Sequence, residues 1–148
     1  VTAGTPPETP PLEARFDDAR RVLEDEHSRL ITVVRQCADA VAESWSDEFT
    51  TDREQVVPRF AQALDGSGAL SRLPGALADA VTATGRPMPA PPVAAPPYVV
   101  VTSEGVVLRA TVGDERLVIT LRVFALETEG EEKRYTRTPD VELEFEAR

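Results

Sequence analysis

The stretch RLVITLRVFALE, Arg116 to Glu127, decides the fold class. It is rich in β-branched and aromatic residues, which favour a pleated chain over a helix. Alternate residues of a strand point to opposite faces, so Leu117, Ile119, Leu121, Val123 and Ala125 share one side. Val118, Thr120, Arg122, Phe124 and Leu126 share the other. Two largely apolar faces predict a central strand covered on both sides.

Turn signals frame this strand and divide the chain around it. Upstream, Gly113-Asp114 and Ser103-Glu104-Gly105 separate the runs Val106–Val112 and Tyr98–Thr102. Downstream, Glu129-Gly130 leads into a strand over Lys133–Thr138, which Pro139-Asp140 is expected to turn. Val141, Leu143 and Phe145 then alternate with Glu142, Glu144 and Glu146, giving one dry face and one wet face. Residues 98–148 are thus predicted to form an antiparallel β-meander of four to five strands.

Before Tyr98 the periodicity changes. Residues 86–97 carry six prolines among Ala, Val and Met, which excludes helix and central strand. This Pro-rich connector is expected to be extended, spanning roughly 30 Å at about 3.1 Å per residue. Met88, Val93 and the alanines make it greasier than a free linker, so part of it is expected to lie along the folded body.

Residues 12–85 read as helical. Leu12, Phe16, Ala19, Leu23, Leu30, Val34, Cys37, Val41 and Trp45 recur at steps of three and four, with a gap around Glu26 and His27. The pattern predicts one amphipathic helix of about 34 residues, some 50 Å long at roughly 1.5 Å per residue. Thr51 and Glu54 have capping-box spacing before a helix burying Val56, Val57, Phe60, Ala61 and Leu64. Pro58 lies too deep for that start, so this helix is either kinked or begins at Pro58. A third helix is expected from Pro74 to Gly85. Residues 1–11, with four prolines, read as a disordered tail. The predicted fold is α+β: a long N-terminal helix and two shorter ones packed on one face of the meander, as one compact unit with it.

Composition narrows function mainly by exclusion. The chain has 148 residues, enough to bury roughly 70% of its unfolded surface without disulfides or metals. Acidic residues outnumber basic ones 26 to 16, for a net charge of −10, and Lys133 is the single lysine. That bias resembles the proteins of halophilic archaea, with high-GC actinobacteria second, where surface carboxylates keep proteins hydrated in salt. Acidity of that origin says little about this protein's own partners. One cysteine, Cys37, fits a reducing compartment. No leader-like N-terminus and no membrane-length apolar run is seen, so the expected location is the cytoplasm.

Few residues carry chemistry. Glu24 and His27 have the Glu-x-x-His spacing of carboxylate-bridged dimetal bundles, but such sites need the motif from two helices plus further glutamates. This chain supplies it once, so a polar layer within the helical seam is the better reading, and no metal or other cofactor is expected. Under that reading, His27→Leu should raise stability. On one helix His27 and Cys37 are about 15 Å apart along the axis, too far for a thiol–imidazole pair, and Cys37 reads as a buried hydrophobe. Lys133, Arg134, Tyr135 and Arg137 form the most basic stretch. Nucleic-acid binding is disfavoured there, because Glu131, Glu132 and Asp140 cut the potential and charged strands commonly guard sheet edges. The glutamates of the last strand are expected to pair with Arg109 and Arg122.

The scarcity of nucleophiles and general bases argues against an enzyme. The leading expectation is a non-enzymatic interaction or assembly module that self-associates through Leu23, Leu30, Val34, Val41 and Trp45 of the long helix. The alternative is a small-ligand-binding regulatory domain with a pocket between sheet and connector near Tyr98 and Phe124.

Overall fold

The computed structural model of the protein describes residues 10–148. All but Pro10 and Pro11 of the expected tail therefore lies outside the described residues. The architecture is α+β, with four helices on one face of a curled five-stranded antiparallel sheet.

The long helix is not continuous. A 3-10 turn at Leu12–Arg15 precedes α1, Phe16–Glu26, and α2 spans Ser28–Glu43. The chain leaves helical geometry at His27, with φ −119° and ψ 27°. Three carboxylates, Glu24, Asp25 and Glu26, crowd the C-terminal end of α1 with no basic residue in its last turn, where the helix dipole disfavours them. Asp, His and Ser are also weak helix formers, so this is the point of least resistance. The break lets both halves bury their stripes in one core. Leu23, Leu30, Val34, Val41 and Trp45 are all buried, between 0% and 8% exposed, in one cluster with the two later helices and the sheet. The apolar seam expected to face a second molecule is covered by the chain itself.

The capping residue of the next segment is Asp52, not Thr51: its carboxylate accepts the Glu54 N–H at 3.0 Å and opens a 3-10 turn, Arg53–Gln55. Helix α3 follows at Val57–Gly66, with Pro58 in its first turn, where a missing N–H costs nothing. Helix α4 runs Ala69–Ala83 and so starts five residues before Pro74. Burial of Ala69 and Leu73 holds that first turn in place, and the proline is accommodated inside the helix.

The strands are β1 (Phe49–Thr50), β2 (Val99–Val101), β3 (Gly105–Val112), β4 (Glu115–Glu129) and β5 (Glu132–Ala147), in the spatial order β1-β5-β4-β3-β2. Strand β5 runs straight through Pro139-Asp140, where a turn was expected. The ladder pairs Arg122 with Glu142 and Phe124 with Arg137, so Thr138 to Val141 bulge opposite Val123 alone. A proline is tolerated there because the segment is out of register with the ladder. On the other side of β4, the Glu104 carbonyl accepts the N–H groups of Val123 and Phe124, at 2.9 and 3.1 Å.

This irregularity also corrects the expectation of two covered faces. Up to Val123 the odd-numbered residues of β4 face the helices. The bulge shifts the phase, and Phe124 then packs edge-on against Phe60 and beside Trp45 in the same core. Among the described residues, helices cover only one face of the sheet. The other carries Tyr98, Val107, Arg109, Thr111, Arg116, Val118, Thr120 and Arg122, with the β5 glutamates alongside.

Candidate functional site

The Glu-x-x-His pair does not converge. Glu24 leans toward Arg20, at 4.0 Å. His27, freed by the helix break, reaches α4 and donates from Nε2 to Asp79 Oδ2 at 2.8 Å. Glu26, His27 and Asp79 hold their potential ligand atoms within 4.8 Å of one another, largely exposed to solvent. The His27–Asp79 bond by itself accounts for that arrangement as a tie between helices.

The basic stretch is dispersed by its own contacts. Arg137 Nη1 lies 2.7 Å from Asp39 Oδ1 on α2, and Tyr135 is buried. Arg134 pairs with Glu129 at 2.8 Å and stacks over the Phe49 ring at 4.3 Å. Lys133 remains exposed. Cys37 is buried, with Sγ 3.4 Å from Ser67 Oγ.

More is assembled on the face of the sheet without helices. Val107 and Val118 are only 9% and 5% exposed, although no layer of secondary structure among the described residues lies over them. Curling of the sheet and the long side chains around them form a trough of about 360 Å³. On its β5 side, Arg122 donates to both carboxylate oxygens of Glu144, at 2.9 and 3.0 Å, with Glu104 at 3.4 Å. The Glu144 hydrogen bonds, opposed by partial burial and assisted by Glu104, hold Arg122 above its ordinary pKa. Arg148 holds Glu146 at 2.9 Å.

Toward the connector the same face deepens into a recess of about 200 Å³, walled by Met88, Pro89, Pro97 and Tyr98 and flanked by Arg109 and Arg116. Arg86 anchors the start of the connector by pairing with Glu115 and donating to the Pro10 carbonyl at 3.0 Å. Met88 packs on the core and Pro97 lines the recess, whereas Val93 is 55% exposed, so the connector meets the body at its two ends and stands off around Val93. A second recess, of about 580 Å³, lies between Arg86, Pro87, Pro89 and the β3–β4 turn. Phe124, expected to line a pocket here, is instead wholly buried on the helical side.

Arg109 was expected to pair with the β5 glutamates, but β4 separates it from them and its cross-strand neighbour is Val118. Arg122, on β4 itself, takes that role. Arg109 Nε is buried and meets no hydrogen-bond acceptor among the described residues. Neither Arg109 nor Arg116 stood out as a site residue in the sequence, where each is a single arginine in a strand. Their convergence follows from the β3–β4 register, Arg109 with Val118 and Thr111 with Arg116.

Residues 17–148 match the family model described as Domain of unknown function (DUF7988), and the chain belongs to that family. No curated protein matches it, and no solved structure does. No helix among the described residues is long and apolar enough to cross a membrane.

Proposed function

We propose that this member of the DUF7988 family is a non-enzymatic binding domain that receives a small ligand in the recess between the connector and the open face of its sheet. The observation that carries this reading is Arg109, a half-buried guanidinium with an orphaned Nε, in the wall of a recess whose connector side is apolar. A buried polar group without a partner costs about 1–3 kcal/mol, and a bound ligand, ion or water that supplies the missing contact offsets that cost. Apolar walls with a few converging polar groups are the usual make-up of a small-molecule site.

The test is a fragment screen followed by mapping of amide and arginine side-chain shifts. Ligands of this site should move Tyr98, Arg109, Thr111 and Arg116 together. A screen whose hits all map to the helices, or that yields no hit, would overturn the proposal.

A second reading keeps self-association but moves it to the sheet edge. Strand β1 pairs with β5 only at Tyr135 and Thr136, so Val141 to Ala147 have no strand partner among the described residues on the side away from β4. Arg20 occupies one group there, donating to the Leu143 carbonyl at 3.2 Å. Antiparallel pairing of two such edges would bring glutamates together, which molar salt would screen. Light scattering in molar KCl should then show a dimer that dissociates at low salt; a monomer throughout would exclude it.

A further inference from the structure

We infer that the recess under the connector recognises a phosphoryl group, held between Arg109 and Arg116, on a small organic monoester whose apolar body lies against Tyr98 and the connector prolines. The inference rests on the binding role proposed above and adds the class of ligand.

The argument begins with charge. In a chain of net charge −10, an arginine would be expected to find a carboxylate easily. Most of those on or beside the sheet do: Arg122 holds Glu144, Arg148 holds Glu146, Arg134 holds Glu129 and Arg86 of the connector holds Glu115. Glu115, next to Arg116, is thereby held by Arg86, and Glu144 and Glu146, which share the neighbouring trough with Arg109, are held by Arg122 and Arg148. Arg109 and Arg116 have no ion pair among the described residues, yet both line one recess. Other arginines without ion pairs, Arg29, Arg35, Arg53, Arg59 and Arg72, are exposed on the helical side of the chain, whereas Arg109 is partly buried with its Nε out of water. A guanidinium is a planar fork suited to two oxygens of one anion. Two forks match the double charge and three oxygens of a phosphate monoester, where a carboxylate would satisfy only one. The Thr111 side chain stands beside Arg116 across the ladder and can add a hydroxyl. Met88, Pro89, Pro97 and Tyr98 offer nothing charged, so the rest of the ligand should be small and apolar or aromatic.

The experiment titrates the full chain with phenyl phosphate, inorganic phosphate, benzoate and neutral benzamide at one fixed KCl concentration, reading Arg Nε–Hε and backbone amide shifts. Phenyl phosphate is expected to saturate, moving the Arg109 Nε–Hε and Tyr98 signals, and to bind at least tenfold tighter than benzoate. Inorganic phosphate should bind more weakly than phenyl phosphate but at the same residues. R109K, which keeps the charge but loses the fork, and R116Q, at an exposed position, should each weaken phenyl phosphate at least tenfold while the rest of the amide spectrum stays folded. Benzoate binding as tightly as phenyl phosphate, or undiminished affinity in both variants, overturns the phosphoryl assignment. Benzamide saturating at Tyr98 while no anion does would overturn it too, yet leave the recess a binding site. No probe shifting Tyr98, Arg109 or Arg116 would sink both proposals.

Discussion

Gly105 stands so close to the backbone of Leu121 that a Cβ added to it would lie 1.9 Å from the Leu121 carbonyl oxygen. Its φ of +149° is also one that other residues rarely adopt. Both constraints have the same origin: the turn from β2 into β3 is pressed against β4, where Glu104 accepts two of its N–H groups. Gly105→Ala must therefore push backbone against backbone. We expect a loss of about 3 kcal/mol or more in a denaturant melt, or failure to fold. Gly113→Ala, at φ +65° with open space around it, should cost only about 1 kcal/mol. Equal effects of the two would contradict the close approach.

His27→Leu now carries an expectation opposite to that of a continuous helical seam. His27 is a junction residue whose imidazole ties the α1–α2 break to Asp79 of α4. The bond is partly exposed, with the Asp79 side chain 53% accessible, so solvent screens much of its worth. A fall in stability of about 0.5–1 kcal/mol is expected, matched by Asp79→Asn and not increased in the double variant. A rise in melting temperature for His27→Leu would restore the view of His27 as a mere flaw in the stripe.

The sequence showed the class of the fold because strand and helix periodicities change cleanly at Tyr98. Two kinds of information escaped it. Where α1 ends is set by three carboxylates at a helix terminus and by Asp79, some fifty residues away. The phase shift between Arg122 and Phe124 is invisible in β4 itself, because both of its faces contain apolar residues. It follows from the extra residues of β5 around Pro139, which read locally as a turn. For that reason Tyr98 and Phe124, which the strand pattern alone places on one face, lie on opposite sides of the sheet: one shifted residue moves Phe124 into the helical core. Arg109 was assigned the glutamates that Arg122 holds, since strand order, and hence who neighbours whom, is not written in a single strand.

Connector anchoring should be uneven. Replacing residues 90–95 with Gly and Ser should leave the melting curve nearly unchanged, since those residues are largely exposed and loop entropy varies slowly. Met88→Ala or Arg86→Gln should each cost about 1 kcal/mol, a drop of several degrees, through lost packing on the core or a lost partner for Glu115. Equal sensitivity along the whole connector would show that its exposed half is also held.

Salt should act on this domain through its charge. Glu142, Glu144 and Glu146 stand in one row on β5, with Glu104 beside Glu144 at Arg122, and net charge is −10 overall. Neighbours in such a row are about 7 Å apart. At about 0.01 M salt the screening length is about 30 Å, so the whole surface repels itself; at about 1 M it is about 3 Å and even row neighbours are screened. The same salt weakens exposed ion pairs, but these are worth about 0–1 kcal/mol each, and the Arg122–Glu144 pair is partly shielded by burial. Repulsion should therefore win, and melting temperature should climb steeply between low and molar KCl. Potassium chloride is only weakly excluded from protein surfaces, so the gain would not come chiefly from strengthened apolar burial. Glu142→Gln, which removes a row charge with no ion pair among the described residues, should raise the low-salt melting temperature and flatten the dependence. Arg122→Gln should do the reverse, leaving Glu104 and Glu144 facing each other uncompensated. A melting temperature flat across KCl, or a variant pair that shifts it equally at all salt concentrations, would remove charge repulsion as the explanation and leave the acidity of this surface to a cationic partner.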